Sequence, residues 1–187
     1  MCQTFFSLTP ENQQRITPVD CELNATILTI LCLNAQTLTN KIDQLNILLN
    51  ENNFQAVCLP EHWCCASKLY YSHLHNYTIA ASYCRKAIIP GGVVIFLNVN
   101  ITHKPLTVEK FCYEQHFEVA AVLLSDFRII LLSIYRSPKG DKGLFLEQLD
   151  KLFLFLNSYK TCIALLGDFN IDITSNSDFI YQFLNIF

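Results

Sequence analysis

The chain has 187 residues and a formal net charge of −3, and 51% of its residues are hydrophobic. This composition is sufficient for one domain with a substantial core, and it excludes a disordered chain. Its apolar runs are shorter than a membrane-spanning helix, and its first residues lack a secretory or transit signal, so we expect a soluble protein of the nucleus or cytoplasm with no membrane partner. The charge also excludes a globally basic nucleic-acid binder.

The chain contains nine cysteines. An odd number in a chain of this length argues against a disulfide scaffold. Most of them lie in strand-like apolar runs, as Cys32, Cys58 and Cys162 do. We therefore predict buried, reduced thiols, which is typical of a protein of the cytosol or nucleus.

The first part of the chain predicts an irregular leader followed by a strand, a helix and a second strand. Residues 1–24 are polar and without periodicity, so the folded domain is expected to span residues 25–187. The β-branched run at residues 25–34 predicts a strand covered on both faces. Apolar residues spaced four, three and four apart then predict a helix that ends near residue 53, and residues 54–60 predict a second buried strand.

The remainder predicts strands and helices in mixed order. No firm element is expected at residues 63–76. Strands are expected at residues 76–83, 91–98, 116–124, 127–135 and 161–170, and helices at residues 141–159 and 177–187. The strands on either side of Ser125-Asp126 predict an antiparallel hairpin. We expect an α/β or α+β fold built around sheet, in which strands outnumber helices.

Three of the predicted strands end in acids or amides. Asn34 and Glu61 follow two of them, and the third ends in Asp168, Phe169 and Asn170. Residues two apart in a strand point the same way, so Asp168 and Asn170 are expected to share one side while Phe169 anchors the turn. Each of these polar residues also has an ordinary explanation, as a turn former or a solvated acid. Together they predict one site of hard oxygen ligands, suited to Mg²⁺.

Five segments carry a family resemblance. They read LNAQTLTNK, LPEHW, GGVVIFL, IYRSP and LLGDFN, and begin at residues 33, 59, 91, 134 and 165. In this order they resemble the endonuclease/exonuclease/phosphatase family, and most closely the apurinic-type endonuclease domain of non-LTR retrotransposon polyproteins. The resemblance covers residues 26–172. It implies a DNase I-like sandwich of two sheets flanked by helices, which cleaves phosphodiesters of DNA with Mg²⁺ or Mn²⁺.

The resemblance also implies roles for individual residues. Glu61 resembles the metal-binding glutamate, and Asp168 would share the metal and orient or deprotonate the attacking water. Asn34 belongs to the metal and phosphate network. Tyr135 matches the tyrosine that contacts the scissile phosphate, and Asn170 the amide that supports the pentacovalent phosphate.

Arg136 and Lys139 would offer positive charge to a nucleic-acid backbone, although surface solvation explains both nearly as well. The family closes its site with a later aspartate and a Ser-Asp-His motif, and neither occurs before Phe187. We therefore expect a C-terminally truncated domain with an incomplete second sheet. Apolar residues such as Phe183 and Phe187 would then be exposed and prone to association.

Three functions remain open. The first is a DNA-nicking endonuclease of non-LTR retrotransposition, impaired by the truncation. The second keeps the family and changes the substrate to phosphomonoesters or inositol phosphates. The third is a non-catalytic retroelement fragment that acts as a binding module or has no role.

Overall fold

The structure, a computed structural model, describes residues 6–8, 27–88, 90–172 and 177–186. Nine strands occur in this part of the chain: β1 (Phe6–Leu8), β2 (Ile30–Cys32), β3 (Ala56–Pro60), β4 (Tyr77–Tyr83), β5 (Val93–Asn98), β6 (His103–Pro105), β7 (Glu118–Leu124), β8 (Ile129–Tyr135) and β9 (Cys162–Asp168). The α-helices are α1 (Ile42–Glu51), α2 (Ala66–Tyr70), α3 (Lys142–Leu156) and α4 (Asp178–Leu184). Single 3-10 turns lie at Leu38–Asn40, Glu109–Phe111 and Asn157–Tyr159.

The strands form two mixed sheets. One has the order β1-β9-β8-β7-β6, and the other has the order β2-β3-β5-β4. In each sheet one pair is parallel, β8 with β9 and β2 with β3, and the remaining pairs are antiparallel. Strands β3 and β5 contact β7, β8 and β9 of the other sheet. The parallel pairs place the carboxyl ends of β2 and β3 side by side in one sheet, and those of β8 and β9 side by side in the other.

Three apolar clusters hold the layers together. The cluster between the sheets includes Cys58, Ile95, Leu97, Ala120, Val122, Leu131 and Leu166. Successive residues of a strand point to opposite faces, so their neighbours pack outward against helices. The outer face of the four-stranded sheet carries Val57, Leu59, Val94 and Phe96 under Leu45 and Leu49 of α1 and Leu69 of α2. The outer face of the five-stranded sheet carries Ile130, Leu132 and Ile134 under Phe145, Leu149 and Leu152 of α3.

This arrangement confirms the predicted two-sheet α/β fold with flanking helices, and it adds detail. The hairpin β7–β8, the helices α1, α3 and α4 and the strands β3, β4, β5 and β9 lie where the sequence predicts them. Helix α2 forms within residues 63–76, where no element was expected, and β6 was not foreseen. Strand β2 has three half-buried residues because it lies at a sheet edge, so the prediction of a longer strand covered on both faces is wrong for its described part. Of the predicted leader, Phe6–Leu8 pairs with β9, and the remainder lies outside the described residues.

The expectation of exposed apolar residues in the last helix is wrong for Phe183. This side chain is 0% exposed and packs against the rings of Phe145 and Phe169, at centroid distances of 6.1 and 5.8 Å. It is buried because α4 packs against α3 on the five-stranded sheet. Phe187 lies outside the described residues. Phe183 therefore gives no support to association through this helix.

The seven cysteines of the described ranges form no disulfide. Burial raises the pKa of Cys32 and of Cys112 to about 12, so both thiols are protonated at physiological pH. None of the helices in the described ranges has the length and apolar character needed to cross a bilayer.

The close contact at Gly167 generates a test of the fold. Gly167 has φ +149° and lies opposite Ile134 in the parallel β8–β9 pair, and a Cβ at this position would overlap the Ile134 carbonyl oxygen. We expect Gly167→Ala to lower the free energy of unfolding by about 3 kcal/mol or more, because backbone on both sides must move. Urea denaturation measures this change.

Gly143→Ala is the matched control. Gly143 lies in the first turn of α3, and an added Cβ would be 3.4 Å from Asp141 Oδ1. Alanine favours the helix here by up to about 1 kcal/mol. Equal losses of stability in the two variants would contradict the argument from the β8–β9 contact.

Candidate active site

The turn that follows β9 separates apolar from polar side chains. Phe169 is 7% exposed and packs against the rings of Phe145 and Phe183. Asp168, which precedes it, is half-buried, and Asn170, which follows it, is exposed. The buried phenyl ring therefore anchors the turn and leaves the two polar side chains at the surface of the site.

The carboxylate of Asp168 joins the ends of two strands from different sheets. Its Oδ2 accepts a hydrogen bond from Nδ2 of Asn34 at 2.7 Å, and its Oδ1 accepts one from the backbone N–H of Asn170 at 3.1 Å. Asn34 itself is held because its Oδ1 accepts from the N–H of Gln36 at 3.2 Å. Both carboxylate oxygens thus have a fixed donor, and the carboxylate cannot rotate freely.

Glu61 and Tyr135 form the second half of the site. Tyr135 is the last residue of β8 and lies directly opposite Asp168 in the parallel register. Its hydroxyl accepts a hydrogen bond from Oγ of Ser137 at 3.4 Å, and it lies near the side chain of Glu61, which follows β3 and is 7% exposed. Burial, and to a smaller extent Glu61, raise the pKa of Tyr135 above its ordinary value, so the phenol is neutral at physiological pH. The structure therefore brings Asn34, Glu61, Tyr135, Asp168 and Asn170 into one region.

The backbone around Glu61 is in an uncommon conformation. Glu61 has φ +57° and Trp63 has φ +53°, backbone angles that residues other than glycine rarely adopt. The N–H of Glu61 donates to the carbonyl of Gly92 at 2.8 Å, and that of Trp63 donates to the carbonyl of Gly91 at 3.0 Å. These hydrogen bonds hold the segment in place. Strain of this kind, supported by the surrounding structure, is typical of functional sites.

Arg136 does not have the role that the sequence predicts. Its side chain is 1% exposed, and Nε, Nη1 and Nη2 donate to the carbonyls of Phe169, Gly140 and Asn170 at 2.9, 2.7 and 2.6 Å. In return, Nδ2 of Asn170 donates to the Arg136 carbonyl at 2.8 Å. The guanidinium stabilises the turn after β9 and is not available to a nucleic-acid backbone, so that prediction is wrong. Lys139 is exposed, as the prediction requires.

His62 follows Glu61 but does not take part in the site as an acid. It is 0% exposed, its Nδ1 accepts from the N–H of Cys64 at 3.0 Å, and its Nε2 lies 3.1 Å from the Tyr83 carbonyl. Since Nδ1 is an acceptor, Nε2 carries the hydrogen and donates it. Burial lowers the pKa of His62 to about 4. The imidazole is therefore neutral and structural.

Arg85 and Glu118 form a buried ion pair that the sequence analysis missed. The guanidinium carbon of Arg85 lies 5.6 Å from the centre of the Tyr135 ring, and Glu118 lies opposite Tyr135 in the β7–β8 register. A sequence signal was present, because Glu118 is the one charged residue of an otherwise apolar strand, EVAAVLL. Its partner could not be found this way, since Arg85 follows a different strand.

The donor set of the site fits the cation that the family resemblance implies. Among the residues that the structure describes, no three His, Cys, Asp or Glu side chains form a group able to hold a metal ion. Mg²⁺ needs fewer, because it is usually bound by one or two carboxylates together with waters and substrate phosphate. Glu61 and Asp168 supply two carboxylates, and the amides of Asn34 and Asn170 add further oxygens. This chemistry suits a hard cation and does not suit zinc.

The three hydrogen bonds from Arg136 to backbone carbonyls, which we call the Arg136 clamp, predict that even a substitution by lysine lowers stability strongly. Lysine cannot donate to three separated carbonyls from a planar fork, so Arg136→Lys leaves buried carbonyls without donors. We expect the free energy of unfolding to fall by about 2–4 kcal/mol in urea denaturation. Arg128→Lys, at an exposed arginine, is the control and should stay within about 0.5 kcal/mol of wild type. A stability of Arg136→Lys equal to that control would refute the clamp.

The buried His62 predicts a pH dependence of stability. In the unfolded chain its pKa is close to the ordinary 6.5, and in the folded protein burial lowers it to about 4. Between these values only the unfolded state binds the proton, so stability falls as the pH is lowered, by up to about 3 kcal/mol at pH 4. We expect His62→Gln to show a shallower loss between pH 6.5 and 4 in denaturant titrations, while His75→Gln, at an exposed histidine, keeps the wild-type slope. A wild-type slope in His62→Gln would contradict the assignment.

Comparison with known proteins shows similarity at the level of structure. No model of a known protein family matches the chain, and no curated protein matches it. The endonuclease domain of TRAS1, a telomere-specific non-LTR retrotransposon, is 13% identical with a TM-score of 0.62, and the match covers 85% of this chain and 70% of that one. The 3′ phosphatase NExo from Neisseria, bound to product DNA hairpin, is 17% identical with a TM-score of 0.62, over 86% of this chain and 70% of the other.

A third structure carries the family name. It is an endonuclease/exonuclease/phosphatase family protein from Bacteroides thetaiotaomicron, 13% identical with a TM-score of 0.57, and the match covers 82% of this chain and 67% of that one. At these identities the likeness is one of fold. The two flanked sheets of this chain, with their polar residues gathered where β2, β3, β8 and β9 end, have the fold of the endonuclease/exonuclease/phosphatase family.

Proposed function

We propose that the chain is a divalent-cation-dependent phosphodiester hydrolase that nicks DNA, as an endonuclease domain of a non-LTR retrotransposon. The hydrogen bond between Asn34 and Asp168 carries this proposal, because it joins the two sheets where Tyr135 and Glu61 also lie. The similarity in fold to the TRAS1 endonuclease domain supports DNA as the substrate.

Asp168 is suited to orient a water molecule and to accept its proton. Asn34 and the backbone of Asn170 each occupy one lone pair of the carboxylate, so its orientation is set before substrate binds. Each carboxylate oxygen retains a further lone pair for a water hydrogen. A fixed base of this kind lowers the reorganisation needed during reaction.

Tyr135 and Asn170 are suited to bind the phosphate. The neutral hydroxyl of Tyr135 has one hydrogen, which a phosphate oxygen can accept. One amide hydrogen of Asn170 is held by the Arg136 carbonyl, and the other is free to donate towards the phosphate. The exposed Lys139, in the turn that follows Tyr135, is placed to meet the nucleic-acid backbone.

A divalent cation, Mg²⁺ or Mn²⁺, would be held by Glu61 and Asp168. When bound, such a cation neutralises charge on the phosphoryl group and activates water. The side chain of Glu61 is suited to this because it is nearly buried and has a fixed neighbour in Tyr135.

A plasmid-nicking assay tests the proposal. We expect the purified chain to convert supercoiled plasmid to nicked circles with Mg²⁺ or Mn²⁺, and EDTA to abolish the conversion. Asp168→Asn should lower the rate at least about 100-fold, because it removes the base without removing the fold. Asp126→Asn, at an exposed aspartate of the β7–β8 turn, should cut at the wild-type rate.

Two results would count against this function. Nicking that survives Asp168→Asn or EDTA would show that it does not come from this site. Absence of nicking, together with a melting temperature that Mg²⁺ does not raise, would favour a non-catalytic binding module, since a ligand that binds the folded state must stabilise it.

The second candidate is a phosphomonoesterase of the same fold. It is favoured by the similarity to NExo, described as a 3′ phosphatase bound to product DNA hairpin. A panel of 3′-phosphorylated DNA, inositol phosphates and intact plasmid separates the two, because each predicts release of a different product. Phosphate release from the first or second substrate without nicking of the third would favour this candidate.

A further inference from the structure

Arg85 and Glu118 form a buried ion pair next to the ring of Tyr135. Arg85 is 8% exposed and Glu118 is 0% exposed, and Oε1 of Glu118 lies 2.6 Å from Nε and 2.5 Å from Nη2 of Arg85. Burying two charges costs much of what their attraction contributes, so such a pair is a weak source of stability. A role in placing neighbouring groups is the better explanation.

Backbone groups hold both members of the pair in position. Oε2 of Glu118 accepts from the N–H of Gly92 at 2.7 Å, and Oε1 accepts from that of Gln115 at 2.8 Å. Nη1 of Arg85 donates to the Pro90 carbonyl. Any Cβ at Gly91 would overlap the guanidinium. Gly91, which precedes β5, therefore provides the room that Arg85 occupies.

From Arg85 a chain of hydrogen bonds leads to the site. Nη2 donates to Oγ of Ser137 at 3.0 Å, and Oγ of Ser137 donates to the hydroxyl of Tyr135 at 3.4 Å. Arginine can only donate, so Ser137 accepts from Arg85 and directs its own hydrogen to the Tyr135 oxygen. The Tyr135 hydrogen consequently points away from Ser137.

We propose that Arg85 is a positioning residue, which acts through Ser137 to set the direction of the Tyr135 hydroxyl hydrogen. The inference rests on the proposed function, in which the Tyr135 hydroxyl meets the phosphate. In this proposal Arg85 does not touch the substrate: it is 8% exposed, and Nε, Nη1 and Nη2 each have an acceptor in Glu118, Pro90 or Ser137. It should affect the rate of the chemical step and leave substrate binding nearly unchanged.

The test combines a spectroscopic signal with kinetics. The protein is labelled with 3-fluorotyrosine, and the ¹⁹F resonance of Tyr135 is assigned by its loss in Tyr135→Phe. Ser137→Ala removes the relay and leaves the ion pair intact, and Arg85→Lys keeps the charge but cannot reach both partners. We expect both variants to shift the Tyr135 resonance and to lower kcat about tenfold, with KM for DNA within about twofold. Ser125→Ala and Arg128→Lys, at exposed positions of the β7–β8 turn, should change neither quantity.

Several outcomes would overturn the inference. If folded Arg85→Lys leaves the Tyr135 resonance unshifted, the inference fails even when Ser137→Ala shifts that resonance. Arg85 would then have no effect on Tyr135 through Ser137. A raised KM with unchanged kcat, or a shifted resonance with unchanged kcat, would also overturn it. If wild-type protein does not nick DNA, the proposed function fails, while the ¹⁹F signal still decides whether Arg85 positions Tyr135.

Discussion

One hydrogen bond, from Asn34 to Asp168, links the two sheets at the end of the molecule where the candidate site lies. The two residues are 134 positions apart in sequence; Asn34 follows β2 of one sheet, and Asp168 ends β9 of the other. Their side chains can meet only because the sheets pack face to face through the shared apolar cluster. The parallel pairing of β8 with β9 then places Tyr135 opposite Asp168. The site is therefore a consequence of sheet packing and register, and no local segment could form it alone.

The sequence predicted the elements with strong periodicity and the polar residues that end the strands. Helix α1, for example, was foreseen from the spacing of Leu38, Ile42, Leu45 and Leu49, which form one apolar stripe. Helix α2 was not, because five residues are too few to show a helical period. The strand-end rule was sufficient to group Asn34, Glu61 and Asp168. It could not supply the hydrogen bonds that fix their orientation.

Arg136 and Arg85 show why the rest could not be predicted. An arginine beside a proposed phosphate site suggests a surface cation, and nothing local in the sequence shows that the turn after β9 leaves three carbonyls in need of a donor. Likewise, Arg85 and Glu118 are 33 residues apart, and only the closure of the two sheets makes them neighbours. Both guanidinium groups are buried where charge is costly. In both cases hydrogen bonds to neighbouring acceptors offset part of this cost.

The contact at Gly167 makes one position matter for both the fold and the candidate site. Glycine is the one amino acid without a Cβ, so any other residue here puts an atom into the Ile134 carbonyl. Asp168 is the next residue of the same strand and lies opposite Tyr135 in the β8–β9 register. A substitution at residue 167 therefore strains the strand that carries the Asp168 carboxylate, so core packing and site geometry depend together on one absent side chain.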